Sequence, residues 1–335
     1  MDPIVRREVA KLGENVRFRA RTKHLHSTWA KTFSSRPELY IRPQSVEEIQ
    51  TAVNLARRCR KKIVVTGSGH SPNTITCTSS WLMNLDDCRG VISVDEKNCK
   101  ITVQAGIRLY QLQEQLWNYG MAMPNLGSID SQSIAGAIAT GTHGSSLLHG
   151  LLSQNILALK IVLSNGNVVS CSKEQSEELF KAALVSLGGL GVVCEVTFQA
   201  VRSFKIEWQQ EIVPISEVLD NWDTVFKQAE FVRCWWLPYT ERMIVWKADR
   251  TNAPLREPEA SWYGGMVGYH VYHNLLYLST WLPQILPWIE KFVFGMQYRF
   301  DTGPVRSAVE ESRYGLKMDC LYSQLVNEVG TSYHA

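Results

Sequence analysis

The stretch VVTGSGHSPN, Val64 to Asn73, sets an imidazole inside a glycine loop. Gly67, Ser68, Gly69, His70 and Ser71 follow directly on a run of β-branched residues, the pattern of a strand that runs into a turn. Such a turn presents successive backbone N–H groups with little side-chain bulk, a concavity that attracts phosphate oxygens. The loop has no Gly-Lys-Ser/Thr and so is not a P-loop; Pro72 stands where a dinucleotide-binding fingerprint needs its third glycine. By itself it reads equally as a tight turn after a strand. A second stretch, NLGSIDSQSIAGAIATGTHGSS from Asn125 to Ser146, packs Gly127, Gly136, Gly141 and Gly144 among serines, threonines and alanines. A small-residue helix packed against another backbone accounts for Ala135 to Ala139 but not for the hydroxyl-rich flanks. Two phosphate-compatible loops separated by a meander suggest a pyrophosphate held between subdomains, as in a dinucleotide cofactor. LGGLGVV, Leu187 to Val193, adds a third site of close backbone approach at the entry to a strand.

The elements that must position these loops are legible between Ile41 and about Ala200. PQSVEEIQTAVNLARRC predicts a helix, with Ser45 and Glu48 at capping-box spacing and Val46, Ile49, Val53 and Ala56 forming an apolar stripe. KIVVTG follows as a buried strand, and WLMNL, GVISVD and KITVQAG read as further strands, with a Lys97-Asn98 turn before the last. RLYQLQEQLWNYG predicts a second helix stopped by Gly120. Asn165-Gly166 between two β-branched runs is a strong hairpin signal. SKEQSEELFKAALVSLGG predicts a third helix with Ser172 as N-cap and Gly188 as C-cap, and GVVCEVTFQAV a closing strand. Hairpins mixed with helices indicate an α+β domain rather than a regular βαβ series. Beyond Arg202 the glycine-rich loops give way to tryptophan-rich sequence with strand-like SFKIEWQQEIV, FVRCWWLPY and RMIVWKAD. Trp235, Trp236, Trp246 and Trp262 read as core or interface packing before a sugar-lining role. The apolar run from His270 to Phe294 is broken by Pro283 and Pro287, whereas a spanning helix needs about 20 apolar residues, so a buried or interfacial segment is expected.

Composition bounds the function. At 335 residues, 45% of them hydrophobic and 20% charged, the chain is a folded protein of two expected domains. A net charge of +3, with basic residues scattered apart from RRCRKK at Arg57 to Lys62, gives no case for nucleic acid. The eight cysteines form no C-x-x-C pair, so neither a metal site nor a disulfide framework is expected. The first residues carry no apolar signal core and no asparagine sits in a glycosylation sequon, which points to an intracellular, reducing compartment.

VTGSGHSPN, NLGSIDSQSIAGAIATGTHGSS and LVSLGGLGVV, in this order, resemble the sugar-1,4-lactone oxidases of the vanillyl-alcohol-oxidase flavoprotein superfamily, and the similarity runs from about the N-terminus to Glu328. The resemblance implies a PCMH-type FAD-binding domain of two α+β subdomains over residues 41–201, preceded by an N-terminal segment 1–40. An incomplete α+β substrate, or cap, domain follows over 202–335. It implies that the first loop binds the FAD pyrophosphate and that His70 is joined covalently to the flavin 8α carbon, a role a neutral imidazole can fill as a nucleophile. It puts Val65, Thr66, Gly67, Ser68, Gly69, His70, Ser71, Ser128, Ser133, Gly136, Thr140, Gly141, Thr142 and His143 around FAD, with Val193 near the adenine. A structural imidazole remains an alternative for His143. Gly127 matches a position where related oxidases carry glycine and a plant dehydrogenase carries alanine, which favours an oxidase. The implied reaction is oxidation of an aldono-1,4-lactone at the hydroxyl beside the carbonyl, with O2 reduced to H2O2 and an ascorbate-type product. Family members continue well past this length, with a His-Trp-x-Lys stretch near the C-terminus and a glutamate and an arginine against the substrate. VGTSYHA departs from them, so a truncated chain lacking these groups is expected, and no catalytic residue can be named. A flavin-binding fragment without catalysis and a related polyol oxidase are the alternatives. By resemblance, peripheral association with the mitochondrial outer membrane is the expected location.

Overall fold

The computed structural model describes residues 2–13, 16–258, 265–298 and 302–317. Contacts divide the chain into two units, one of Met1–Pro124, Ile129–His143 and Leu151–Ser203, the other of Asn125–Ser128, Gly144–Gly150 and Phe204–Ala335.

Among the described residues the first unit holds two larger sheets and two two-stranded ribbons, His26–Ser27 with Ser34–Ser35 and Met121–Ala122 with Val201–Arg202. In the smaller of the two sheets the strands β1 (Ala20–Arg21), β2 (Leu39–Ile41), β3 (Ile63–Thr66) and β4 (Trp81–Asn84) lie in the order β1-β2-β4-β3. β4 runs parallel to both β2 and β3, and β1 is antiparallel to β2. Helix α1 (Val46–Arg58) connects β2 to β3. Ser45 accepts the Glu48 N–H at 3.3 Å, an N-cap worth about 1 kcal/mol, but the Glu48 carboxylate reaches back to Gln44 N and to Arg19 rather than to Ser45. Every residue of β4 is buried because strands flank it on both sides. The expectation of a buried β3 is corrected: Ile63, Val64 and Val65 are half-buried, since β3 is the sheet edge and these residues line a cavity.

The larger sheet is antiparallel, with β5 (Val91–Asp95), β6 (Lys100–Gln104), β7 (Ile156–Leu163), β8 (Val168–Ser172) and β9 (Gly191–Gln199) in the order β8-β7-β9-β6-β5. The β7–β8 hairpin turns at Asn165-Gly166, where Leu163 N donates to Asn167 O and Gly166 takes φ +87°. Helix α2 (Leu109–Asn118) ends ahead of Gly120 at φ +63°, and the short helix α3 (Ile134–Ala139) starts from Ser133, whose Oγ accepts Gly136 N. The third predicted helix is shorter than its sequence pattern. Ser172 caps a turn through Glu174 N and Gln175 N, so α4 begins only at Glu177 and ends at Leu184. Gly188 at φ +76° belongs to the following turn and is not a helix cap.

The second unit is built on an antiparallel sheet of β10 (Lys205–Pro214), β11 (Phe231–Leu237), β12 (Arg242–Thr251) and β13 (Gly303–Glu311), ordered β11-β12-β10-β13. Trp246 is buried beside Trp208 with the Arg233 guanidinium over its ring, Trp235 packs on the Ile212–Ile244–Phe294 cluster, and Trp236 is exposed. Trp262 lies outside the described residues. The apolar run folds as two helices, α5 (Gly265–Trp281) and α6 (Leu286–Tyr298), broken at Pro283–Ile285 as the prolines predict. Ile289 and Val293 of α6 pack on Val271, Leu275 and Leu276 of α5, while Tyr277, Trp281, Leu282, Trp288 and Phe292 stay exposed. Among the described residues no helix is long and apolar enough to cross a membrane.

A Cβ at Gly106 would stand 1.8 Å from the Leu85 carbonyl oxygen, so only backbone movement could admit it, whereas Gly120 has open space and is held to glycine by its φ alone. Gly106→Ala is therefore expected to cost about 1–3 kcal/mol as an overpacked site and Gly120→Ala about 1–2 kcal/mol as a left-handed residue. Urea unfolding of both variants checks this; equal, negligible losses would contradict the Gly106 contact.

Candidate functional site

The β3 edge and the loop that leaves it wall a cavity of about 340 Å³ in the first unit. Val65, Thr66, Gly67, Ser68, Gly69, His70 and Ser71 line one side, and Ser133, Gly136 and Thr140 of the α3 segment and Val193 of β9 line others. Gly127, Ser128, Gly141, Thr142 and His143 are not among its lining residues. Gly127 and Ser128 fall in the second unit, Gly141 turns the chain at φ +68°, and His143 forms a bridge with Leu151.

Glycine is required where the loop meets the α3 segment. A Cβ at Gly67 would lie 2.4 Å from Ser133 Oγ, and Gly69 at φ +71° lets its carbonyl accept Trp29 N at 2.8 Å. The next residue, His70, is thereby turned against Ser131, whose Oγ is 2.6 Å from His70 Nε2. Trp29 stacks on the same imidazole at 5.0 Å between ring centroids. His70 Nδ1 is buried and has no hydrogen-bond partner among the described residues.

Burial pushes the His70 pKa below its ordinary 6.5, and the nearby Arg108 guanidinium pushes the same way, while Asp130 opposes them. The ring is therefore a neutral imidazole at neutral pH. Arg108 is itself committed: it pairs with Asp86 and donates to Ser131 O at 3.3 Å. Ser133 Oγ accepts the Gly136 N–H, which leaves its own proton to donate, whereas the Thr140 hydroxyl is spent on Gly136 O at 2.9 Å.

Sequence reasoning did not single out Asp86, Gly106 or Gln132, which also line the cavity. None carries a local signal, because Asp86 and Gly106 come to the cavity from the ends of β4 and β6. Ser186 to Gly189 and Gly191 line it too, and the LGGLG pattern is the signal that marks them. In the second unit Trp246, Trp208, Gln210, Glu310, Tyr314 and Lys317 border a smaller cavity of about 190 Å³. Among the described residues no group of three His, Cys, Asp or Glu is placed to hold a metal ion. Burial raises the thiols of Cys88 and Cys234 to about 11 and that of Cys194 to about 12.

His24 and His26 are also held below 6.5 by burial. A histidine kept neutral by folding binds fewer protons than in the unfolded chain, so its contribution is complete above 6.5 and is lost as pH falls below it. The thermal midpoint of the flavin-free chain is expected to hold steady above about pH 7 and to fall as pH drops below about 6.5. His70→Gln should make that fall shallower; calorimetry showing an unchanged slope would contradict a neutral, half-buried His70.

Comparison with known proteins gives two family matches: a FAD binding domain over residues 37–172 and D-arabinono-1,4-lactone oxidase over residues 196–335. The chain is 54% identical over 328 residues to a putative D-arabinono-1,4-lactone oxidase of Neurospora crassa, a match covering 95% of this chain and 59% of that protein. It is 44% identical over 320 residues to the D-arabinono-1,4-lactone oxidase of Yarrowia lipolytica, covering 93% of this chain and 61% of that one. The chain thus spans about three fifths of the length of these relatives. A crystal structure of cholesterol oxidase from B. sterolicum superposes with a TM-score of 0.73 at 16% identity, covering 86% of this chain and 59% of that one, a likeness of fold.

Proposed function

The chain belongs to the sugar-1,4-lactone oxidase family, that of the D-arabinono-1,4-lactone oxidases, and from that premise we propose that it holds FAD covalently through His70 and serves the oxidation of an aldono-1,4-lactone. One observation supports the tether most: a neutral imidazole stands in the glycine loop at the cavity with a buried nitrogen that no group among the described residues engages. The residues suit the cofactor. Gly67 and Gly69 keep side-chain bulk out of the loop, and the Ser133 hydroxyl proton is available to a phosphate oxygen. Ile63, Val64 and Val65 offer the cavity an apolar wall.

FAD held there would supply a two-electron oxidation of the carbon bearing the hydroxyl beside the lactone carbonyl, with O2 as the terminal acceptor and H2O2 as its product. The 2-keto lactone then tautomerises to an ene-diol, so D-arabinono-1,4-lactone becomes D-erythroascorbate, an ascorbate-type product. The choice of O2 as acceptor rests on Gly127 and on the oxidase relatives. The protein's part is to orient and to exclude: the loop fixes the cofactor, while Arg108, paired with Asp86, still keeps the His70 ring from protonating.

We also propose a peripheral seat on an intracellular membrane, the mitochondrial outer membrane by family resemblance, through the α5–α6 hairpin. Its exposed Trp281, Trp288, Tyr277 and Phe292 have the character of an interfacial anchor.

Three measurements check this reading. Acid-precipitated protein is expected to keep its yellow colour, and His70→Ala to lose it while still binding FAD; a colourless wild-type pellet would refute the tether. D-arabinono-1,4-lactone is expected to yield peroxide. Flavin without peroxide would leave a binding module, and peroxide from open-chain polyols alone would indicate a different substrate. Replacing Trp281 and Trp288 together by alanine should cut co-sedimentation with phospholipid vesicles about tenfold or more; unchanged sedimentation would refute the hairpin as anchor.

A further inference from the structure

We infer that Ser131 is a positioning residue for flavin attachment: its hydroxyl receives the Nε2 proton of His70 and so leaves Nδ1 with the free lone pair that forms the bond to the flavin. The inference rests on the covalent reading above and adds the group that makes it possible.

Among the described residues one hydrogen bond to the His70 ring is seen, the 2.6 Å contact between Nε2 and Ser131 Oγ. If Ser131 donated to Nε2, the ring proton would sit on Nδ1, a buried N–H with no acceptor. With Nε2–H as the donor, the buried atom is a lone pair, the nucleophilic form. The Ser131 hydroxyl, part-buried, keeps its own proton for another acceptor. Trp29 on the ring face and the turn at Gly69 restrict rotation of the imidazole, so the same bond also aims it.

The chemistry of attachment makes the acceptor necessary. The bond forms between Nδ1 and the flavin 8α carbon, and one C–H bond of that methyl group breaks. Its electron pair reduces the flavin, which dioxygen then reoxidises, giving hydrogen peroxide. The flavin takes up two hydrogens in the first stage, one from the methyl group and one from the imidazole. As Nδ1 is alkylated the ring would become a cation unless Nε2 releases its proton. A cation is disfavoured here by burial and by the Arg108 guanidinium, which Asp86 neutralises only in part and Asp130 offsets. Ser131 Oγ is in contact with the proton that must leave and relays it, taking it up as its own hydroxyl proton passes to solvent, so that the serine is unchanged overall.

The test uses the whole chain prepared free of flavin, mixed with FAD in air, with acid-stable flavin followed over time and FAD affinity measured separately by fluorescence quenching. Ser131→Ala is expected to bind FAD with affinity near wild type but to link it about tenfold more slowly, the worth of one hydrogen bond. Ser131→Thr, which keeps the hydroxyl, should restore the rate. The Ser131→Ala rate should also rise with pH more steeply than that of wild type, as solvent base replaces the lost acceptor. Ser131→Ala linking at the wild-type rate would overturn the inference, as would Ser131→Thr linking as slowly as Ser131→Ala. Wild-type protein that binds FAD and never links it would overturn the covalent reading itself.

Discussion

The close passage of the Gly67–Ser71 loop across the Ser131–Ser133 segment is the constraint from which the candidate site follows. Gly67 has no room for a Cβ against Ser133 Oγ, and three residues later His70 meets Ser131. Both contacts come from the same two stretches, so the loop cannot shift away from one without loosening the other. The α3 segment is in turn held by Ser133 as the helix cap and by Ile134 N donating to Ile107 O. The β3 edge feeds the loop from the opposite side.

That geometry sets the electrostatics. A histidine on an exposed turn would be part-protonated near neutrality and no better than any other imidazole as a nucleophile. Enclosed by Trp29 and Ser131 and beside the Arg108–Asp86 pair, His70 stays neutral at the cavity wall. The loop glycines keep side-chain bulk off the cavity wall and carry the imidazole to a fixed place.

Much of this was legible in the sequence because it depends on local signals. Ser45 before an apolar stripe, Asn165-Gly166 between β-branched runs and the prolines at 283 and 287 each act through their own backbone. The glycine loops were legible as turns for the same reason, whereas the role of His70 came only from the family resemblance and stands as a proposal. What escaped depends on tertiary contact. Nothing near Asp86 or Arg108 in the chain announces that they pair at the cavity, and nothing near Gly106 announces the Leu85 carbonyl. Ser172 looked like a helix cap because its composition suits one, yet its hydroxyl is taken by a tighter turn first. The β3 residues looked buried because β-branched runs usually are; at a sheet edge facing a cavity they are only half so.

The central claim is that a flavin is tethered at one named atom set, the His70 imidazole. Proteolysis of the flavin-loaded chain followed by mass spectrometry of the fluorescent peptide tests it most directly. The account predicts a single flavin-bearing peptide containing Val64 to Asn73, with the added mass localised on His70. A flavin mapped to any other residue, or loaded protein whose peptides all carry their unmodified masses, would contradict it.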